Sequence, residues 1–418
     1  MPSSRRFRRH VQMRRALAAG AAATALLACG GHPTDAAGAD PIPAPHARTA
    51  LPPLFPGTLA LVGVGVVSLE GGGAVQRDQT VIVRDGRIAA IGAVGSTAVP
   101  PDAQVVDAAG AFVMPGLVDA HVHLLRKDVD AYLRAGITTV RNMWGTPGVA
   151  ALRAEVAAGA ALPTIFSAGP GIDGPPAVWP YTELPAGADA AAALVSRQAA
   201  EGWDFIKVYD RLDAAAYAAV VRRARELNVA VVGHVPRPAG LDAALGAGQA
   251  SIEHLTGYAQ TVGGWGSARQ SLFAGLARRT AARAIWNCPT LLVGATLHGG
   301  ISDQSQFVVD RRRMVRALYD AGAPLLAGTD AGIDIVPPGT SLAAEIEELA
   351  AAGLPPAAAL RAATADAARF LGVDAEAGAV RVGMRADLLL LRADPLADVR
   401  ALRAPLGTVL RGRWLPAR

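Results

Sequence analysis

The sequence predicts an α/β protein: a TIM-like (β/α)8 barrel with a small β-sandwich built from both chain ends. Three observations predict it. Short apolar runs alternate with Ala-rich helical stretches across residues 114–372. β-type patterns precede that region at 57–113 and return after it at 373–418. Histidine, aspartate and lysine recur near the C-terminal ends of the apolar runs, where such a barrel gathers its site.

Residues 1–28 read as an export signal. Arginines 5, 6, 8, 9, 14 and 15 form a positive start without an acid, and "ALAAGAAATALLA" follows as an apolar segment of signal-peptide length. This segment carries the basicity: the formal net charge is +5, but the remainder has 34 basic against 35 acidic residues. With no basic patch interleaved with aromatics, a nucleic-acid partner is excluded from the expectations. "LLACGG" resembles a bacterial lipobox, which implies cleavage before Cys29, lipidation of its thiol and a membrane anchor without a transmembrane helix. The expected location is then the outer membrane, facing the periplasm. Ordinary cleavage near Ala28, giving a soluble exported protein, is the alternative. Cys29 and Cys288 are the only cysteines, too few for a disulfide framework. Residues 29–56, rich in Pro, Ala and Gly, read as a flexible tether.

From Gly57 the pattern is β. "QTVIVRDGRIAAIGA" predicts a hairpin turning at Asp85-Gly86, and "AQVVDAAGAFVMPG" predicts a second one. Eight candidate strands follow, at 117–123, 137–142, 163–168, 204–209, 229–234, 250–254, 285–290 and 324–329. Between them lie helices such as 213–228, which begins on an Asp cap. Strands alternating with helices imply parallel pairing with right-handed crossovers. A doubly wound open sheet is the competing architecture. "ADLLLL" and "TVLRGRWL" restore β character near the end and are expected to join residues 57–113 in one small sheet.

"GLVDAHVHLL" places His121 and His123 two apart on a strand, so both imidazoles face one way. Paired nitrogens suit a divalent transition metal. His234 ends "VAVVGHV", His254 ends "ASIEHL", Asp330 ends "PLLAGTD", and Lys207 lies near the end of "DFIKVY". Glycines 328 and 332 around Asp330 allow close backbone approach. Lys207 is notable because 40 residues are basic and only it and Lys127 are lysine. A neutral lysine amine can add CO2 to form a carbamate that bridges two metals, which a guanidinium cannot do. Two-metal hydrolytic sites hold their ions roughly 3.5–4 Å apart.

Taken together, "GLVDAHVH", "DFIKVY", "GHV", "SIEHL", "AGTDAG" and "GMRADLLLL" resemble the amidohydrolase superfamily across nearly the whole chain after the tether. Within it the chain is similar to hydrolases related to imidazolonepropionase and to prolidase-like Xaa-Pro and Xaa-Arg dipeptidases. The resemblance implies that His121, His123 and Asp330 bind a more buried metal. It implies that His234 and His254 bind a more exposed one, with carboxylated Lys207 between them; zinc is the expected ion. It further implies hydrolysis of an amide bond by metal-activated hydroxide, in dipeptides or N-acyl amino acids with a free C-terminal carboxylate. A hydrolase of cyclic amides or lactones and a mononuclear deaminase are the alternatives. Asp330 is the expected proton carrier. Tyr209, two residues after Lys207, is a candidate for the oxyanion or a substrate carboxylate, and otherwise for rim packing. His298 is a candidate substrate contact or an exposed loop histidine. Arg141 is expected to meet a substrate carboxylate or to form a surface ion pair. Trp179 and Tyr181, in the long loop 168–187, are candidates to line the pocket or to pack on each other in a lid, while Cys288 is expected to pack in its strand. A homo-oligomer is left open.

Overall fold

The computed structural model describes residues 51–69 and 72–417. The export signal, Cys29 and the first part of the tether lie outside the described residues. No helix among the described residues is long and apolar enough to cross a membrane.

Strand β1 (Thr58–Ser68) is almost continuously apolar and pairs antiparallel with β2 (Ala74–Arg84). β2 turns into β3 (Arg87–Ala93) through Asp85 and Gly86. Both turn residues have positive φ, 49° and 76°, as a two-residue hairpin turn requires. The second expected hairpin does not form. β4 (Gln104–Asp107) and β5 (Phe112–Pro115) both run parallel to β1, one along Leu59–Val62 and the other along Gly65–Val66. The long β1 offers one edge to both, so the chain continues in one direction instead of reversing.

Seven parallel strands follow: β6 (Leu117–Val122), β7 (Ile137–Asn142), β8 (Thr164–Ser167), β9 (Phe205–Val208), β10 (Ala230–Gly233), β11 (Ser251–Glu253) and β12 (Trp286–Cys288). They form a three-stranded sheet, β6-β7-β8, and a four-stranded sheet, β12-β11-β10-β9. Isolated bridges continue between them: Ala168 with Phe205, Asn287 with Leu325, and Val122 with Ala331. The expected eighth strand at 324–329 is not a ladder strand. Pro324 lacks an N–H, and the Thr329 N–H donates to the Asp119 carboxylate at 3.0 Å rather than to a neighbouring backbone. The segment still exchanges backbone hydrogen bonds with Asn287 on one side and accepts from Ala120 on the other, and Asp330 and Ala331 just after it bond to His121 and His123.

The helix Ala214–Glu226 starts as expected, with the Asp213 side chain accepting from the Ala216 N–H at 2.9 Å. Its buried Ala216, Tyr217, Ala219, Val220 and Ala224 keep helical spacing. Strand residues divide by alternation. Ile206 and Val208 join the large apolar cluster shared with the helices. Phe205, Val118, Ala120 and Cys288 join a smaller one with Phe370, whose ring stacks on Phe205 at 5.7 Å. Lys207, two residues from Phe205, shares that second face.

The chain ends meet as expected. β13 (Leu388–Leu391) pairs antiparallel with β5, followed by β14 (Pro405–Leu410) and β15 (Arg413–Pro416). The result is one connected eight-stranded sheet, because β1 and β5 hydrogen-bond the N-terminal strands to the C-terminal ones.

Candidate metal centre

All six expected ligands line one cavity of about 250 Å3: His121, His123, Lys207, His234, His254 and Asp330. His121 and Lys207 are fully buried, and Asp330 is 9% exposed. The side-chain oxygen Oδ1 of Asp330 lies 3.0 Å from His123 Nε2 and 3.3 Å from His121 Nε2. The three groups are close enough to hold one ion. The rings of His254 and His121 have centroids 4.6 Å apart, and those of His254 and His234 are 4.8 Å apart.

The backbone is held in unusual shapes here. His254 and Asp330 both take left-handed conformations, with φ of 59° and 61°, which costs roughly 1–3 kcal/mol each. Gly332 answers the expectation of close approach: a Cβ there would lie 1.9 Å from the His123 carbonyl oxygen.

Three of the four candidate histidines are oriented from behind. His121 Nδ1 sits 2.8 Å from Glu253 Oε2, and His234 Nδ1 sits 2.7 Å from Asp210 Oδ1. An ionised carboxylate only accepts, so each Nδ1 is the donor and each Nε2 carries the lone pair a metal needs. His254 Nδ1 meets Thr290 Oγ1 at 2.7 Å. Burial keeps His254 and His123 well towards their neutral, ligating forms. Burial alone would raise the Asp330 carboxyl, but the imidazoles of His254 and His121 outweigh it and hold it well below the carboxylate range.

A metal fits this cradle. Among the described residues His121 Nε2, Asp330 Oδ1 and Lys207 Nζ are buried without a hydrogen-bond partner. Such groups cost free energy unless something satisfies them, and two of them belong to the ligand triad. Burial lowers the Lys207 amine to about 8, so a neutral fraction exists near physiological pH.

Arg141 and Tyr181 differ from expectation, and the other candidates fall within it. Arg141 neither faces substrate nor forms a surface pair. It is fully buried, donates from Nη2 to both Glu253 oxygens at 3.0 Å and from Nη1 to Ser251 Oγ at 3.0 Å. Tyr209 lines the cavity, with its ring 4.0 Å from that of His234 and its hydroxyl accepting from Trp179 Nε1 at 2.9 Å. Trp179 lines the cavity too, but Tyr181 is 60% exposed and takes no part in it. His298 is exposed at the cavity wall, where its ring stacks on Phe307 at 3.7 Å. Cys288 packs in β12, and burial pushes its thiol well up. Glu253, Asp210 and Thr290 were missed by sequence reasoning. Glu253 and Asp210 carry a usable signal: one adjoins His254, and the other lies three residues after Lys207.

Comparison with known proteins agrees with this geometry. A model described as "Amidohydrolase family" matches residues 112–415. A solved structure assigned provisionally as a prolidase, from Bifidobacterium longum, superposes with a TM-score of 0.73 at 30% identity, covering 86% of this chain and 95% of that one. An adenine deaminase from Moorella thermoacetica is 25% identical over 358 residues, 81% of this chain and 55% of its own length. An enamidase from Eubacterium barkeri is 36% identical over 85 residues, 18% of this chain and 22% of its own. The chain thus spans about half or less of these two relatives.

Proposed function

Because the chain belongs to the amidohydrolase family, we propose that it is a binuclear metal-dependent hydrolase of amide bonds. Its substrates in this reading are dipeptides or N-acyl amino acids with a free C-terminal carboxylate. The observation that carries the two-metal reading is Lys207: a fully buried amine without a hydrogen-bond partner among the described residues, facing the cavity shared by four histidines and Asp330. An ordinary structural lysine would snorkel or pair. Converted by CO2 to a carbamate, it would supply an anionic ligand shared between two ions, with His121, His123 and Asp330 on one side and His234 and His254 on the other. Zinc suits this nitrogen-rich set.

Bound metals would supply Lewis acidity and lower the pKa of water. In this reading Asp330, whose carboxyl is held well below the usual range, takes the proton from the attacking water and passes it to the leaving amine. The Tyr209 hydroxyl, which accepts from Trp179 Nε1, in the same reading donates to developing charge on the carbonyl oxygen. The bridges joining the two parallel sheets support reading the eight units as a closed (β/α)8 barrel with this site at its C-terminal end. The N-terminal sequence ending at Cys29 supports an exported, lipid-anchored protein facing the periplasm.

Metal content per chain, measured on protein purified without chelators, tests the reading. About two ions in the wild type, with loss of one and of activity in Lys207→Arg, is the expected result. Full metal content and activity in Lys207→Arg would refute the bridge. A second reading, a mononuclear enzyme of deaminase type, is favoured by the tight triad of His121, His123 and Asp330; it predicts one ion even after metal supplementation.

A further inference from the structure

The wall of the cavity that Lys207 lines also holds an arginine that the proposed reaction does not use. Arg311 lies on the helix Gln306–Asp320 among core residues Val308, Met314 and Val315, and is only 5% exposed. Its Nη2 donates to the carbonyls of Pro289 and Thr290. Nε and Nη1 have no hydrogen-bond partner among the described residues, and Nε is fully buried. No carboxylate among the described residues lies within ion-pair distance of this guanidinium.

The acids nearby are engaged elsewhere. Glu345 acts on Arg311 electrostatically from beyond ion-pair distance, but burial raises its carboxyl to about 8, and its oxygens accept from the backbone N–H groups of Leu291 and Leu292, both at 2.8 Å. The neighbouring Asp310 accepts from Gly266, Gln270 and Gln306. Asp210 holds His234. Burial lowers Arg311 to about 10, so it remains charged at neutral pH. A buried cation without a counter-ion is strongly unfavourable. No ion pair among the described residues matches this charge, so a bound anion would.

Its setting directs the charge. A Cβ on Gly294 would lie 2.2 Å from Arg311 Nη1, so this glycine makes room for the guanidinium against the helix Leu291–Leu297. Phe307 covers the guanidinium at 5.5 Å, and His298 covers Phe307. Thr290, whose carbonyl Arg311 holds, is also the residue that orients His254. The guanidinium is therefore built into the same wall as a metal-ligand candidate.

We propose that Arg311 is a specificity-determining residue that binds the substrate's carboxylate through its free Nη1 donor. The inference rests on the amide-hydrolase reading of this cavity and identifies what makes the site prefer an acid. Arg237, exposed at the rim of the same cavity, is the rival guanidinium.

The test compares N-acetyl-leucine with N-acetyl-leucinamide, in calorimetric binding and in hydrolysis, using the metal-loaded full chain. Wild type should favour the acid by about ten- to hundred-fold, the range of one charge-assisted hydrogen bond. Arg311→Gln should collapse that ratio, and Arg237→Gln should keep it. Gly294→Ala displaces the guanidinium without removing it. It should lower the ratio too, and it decides the matter if Arg311→Gln does not fold. No acid preference in wild-type binding, or a preference unchanged in both Arg311→Gln and Gly294→Ala, overturns the proposal. Loss of the preference in Arg237→Gln alone also overturns it. Wild type that binds the acid in an Arg311-dependent way but hydrolyses no amide upholds the inference and refutes the amide-hydrolase reading instead.

Discussion

Glu253 Oε2 lies 2.8 Å from His121 Nδ1 while Arg141 grips the same carboxylate from the other side at 3.0 Å. Both members of this ion pair are fully buried. Burial works against charge on Glu253, and Arg141 then holds its carboxyl far below the usual range. The metal-ligand candidate is thus oriented by an anion that the buried arginine does most to stabilise.

Removing that arginine strands the anion. Arg141→Met is expected to destabilise the metal-free protein by about 3–5 kcal/mol, the cost of an uncompensated buried charge. Adding Glu253→Gln should restore part of the loss. Urea unfolding of the single and double variants measures both. A loss below about 1 kcal/mol for Arg141→Met would show that the pair does not matter to the fold.

Asp210 plays the corresponding part for His234, at 2.7 Å. Asp210→Ala should weaken retention of one metal by about ten- to hundred-fold, the usual effect of losing a ligand's orienting partner. Chelator competition, read as ions per chain, should show one ion leaving first. Unchanged retention would mean that His234 does not depend on Asp210 as a ligand.

Glu345 gives stability a pH dependence. Burial raises its carboxyl from 4.5 to about 8. The folded protein therefore keeps a proton that the unfolded chain releases above its lower value. The contribution is fully present below pH 4.5 and is lost as pH rises through about 8. Unfolding midpoints between these limits should fall more steeply with pH in the wild type than in Glu345→Gln. Equal slopes would rule the effect out.

The helix after β9 depends on its cap. Asp213→Ala removes the acceptor for the Ala216 N–H and should cost about 1 kcal/mol in denaturant unfolding. Asp213→Asn, which can still accept, should cost less.

The metal-ligand candidates were legible before the fold. His121 and His123 are related by the period of a strand, and Lys207, His234, His254 and Asp330 each lie at or near the end of an apolar run. Arg141 was not legible in this way. Its place in β7 was correct, yet its partner Glu253 lies 112 residues further along the chain, and no local period says which two strands face one another. The eighth strand failed for a local reason instead. "PLLAGT" looks extended, but Pro324 and the Asp119 side chain replace ladder bonds with a bridge.

By itself the sequence determined the chemistry at stake: imidazoles two apart, a lysine within an apolar run of a chain whose basic residues are almost all arginine, and β patterns at both ends that need each other. Those features follow from residue identity and short-range periodicity, which hold whatever the chain packs against. Only the tertiary structure decided which charges are matched. It sets Arg141 against Glu253 and Asp210 behind His234, and it leaves Arg311 buried without a counter-ion among the described residues. Charge matching in a low-dielectric interior depends on distances between groups remote in sequence, and folding alone sets those distances.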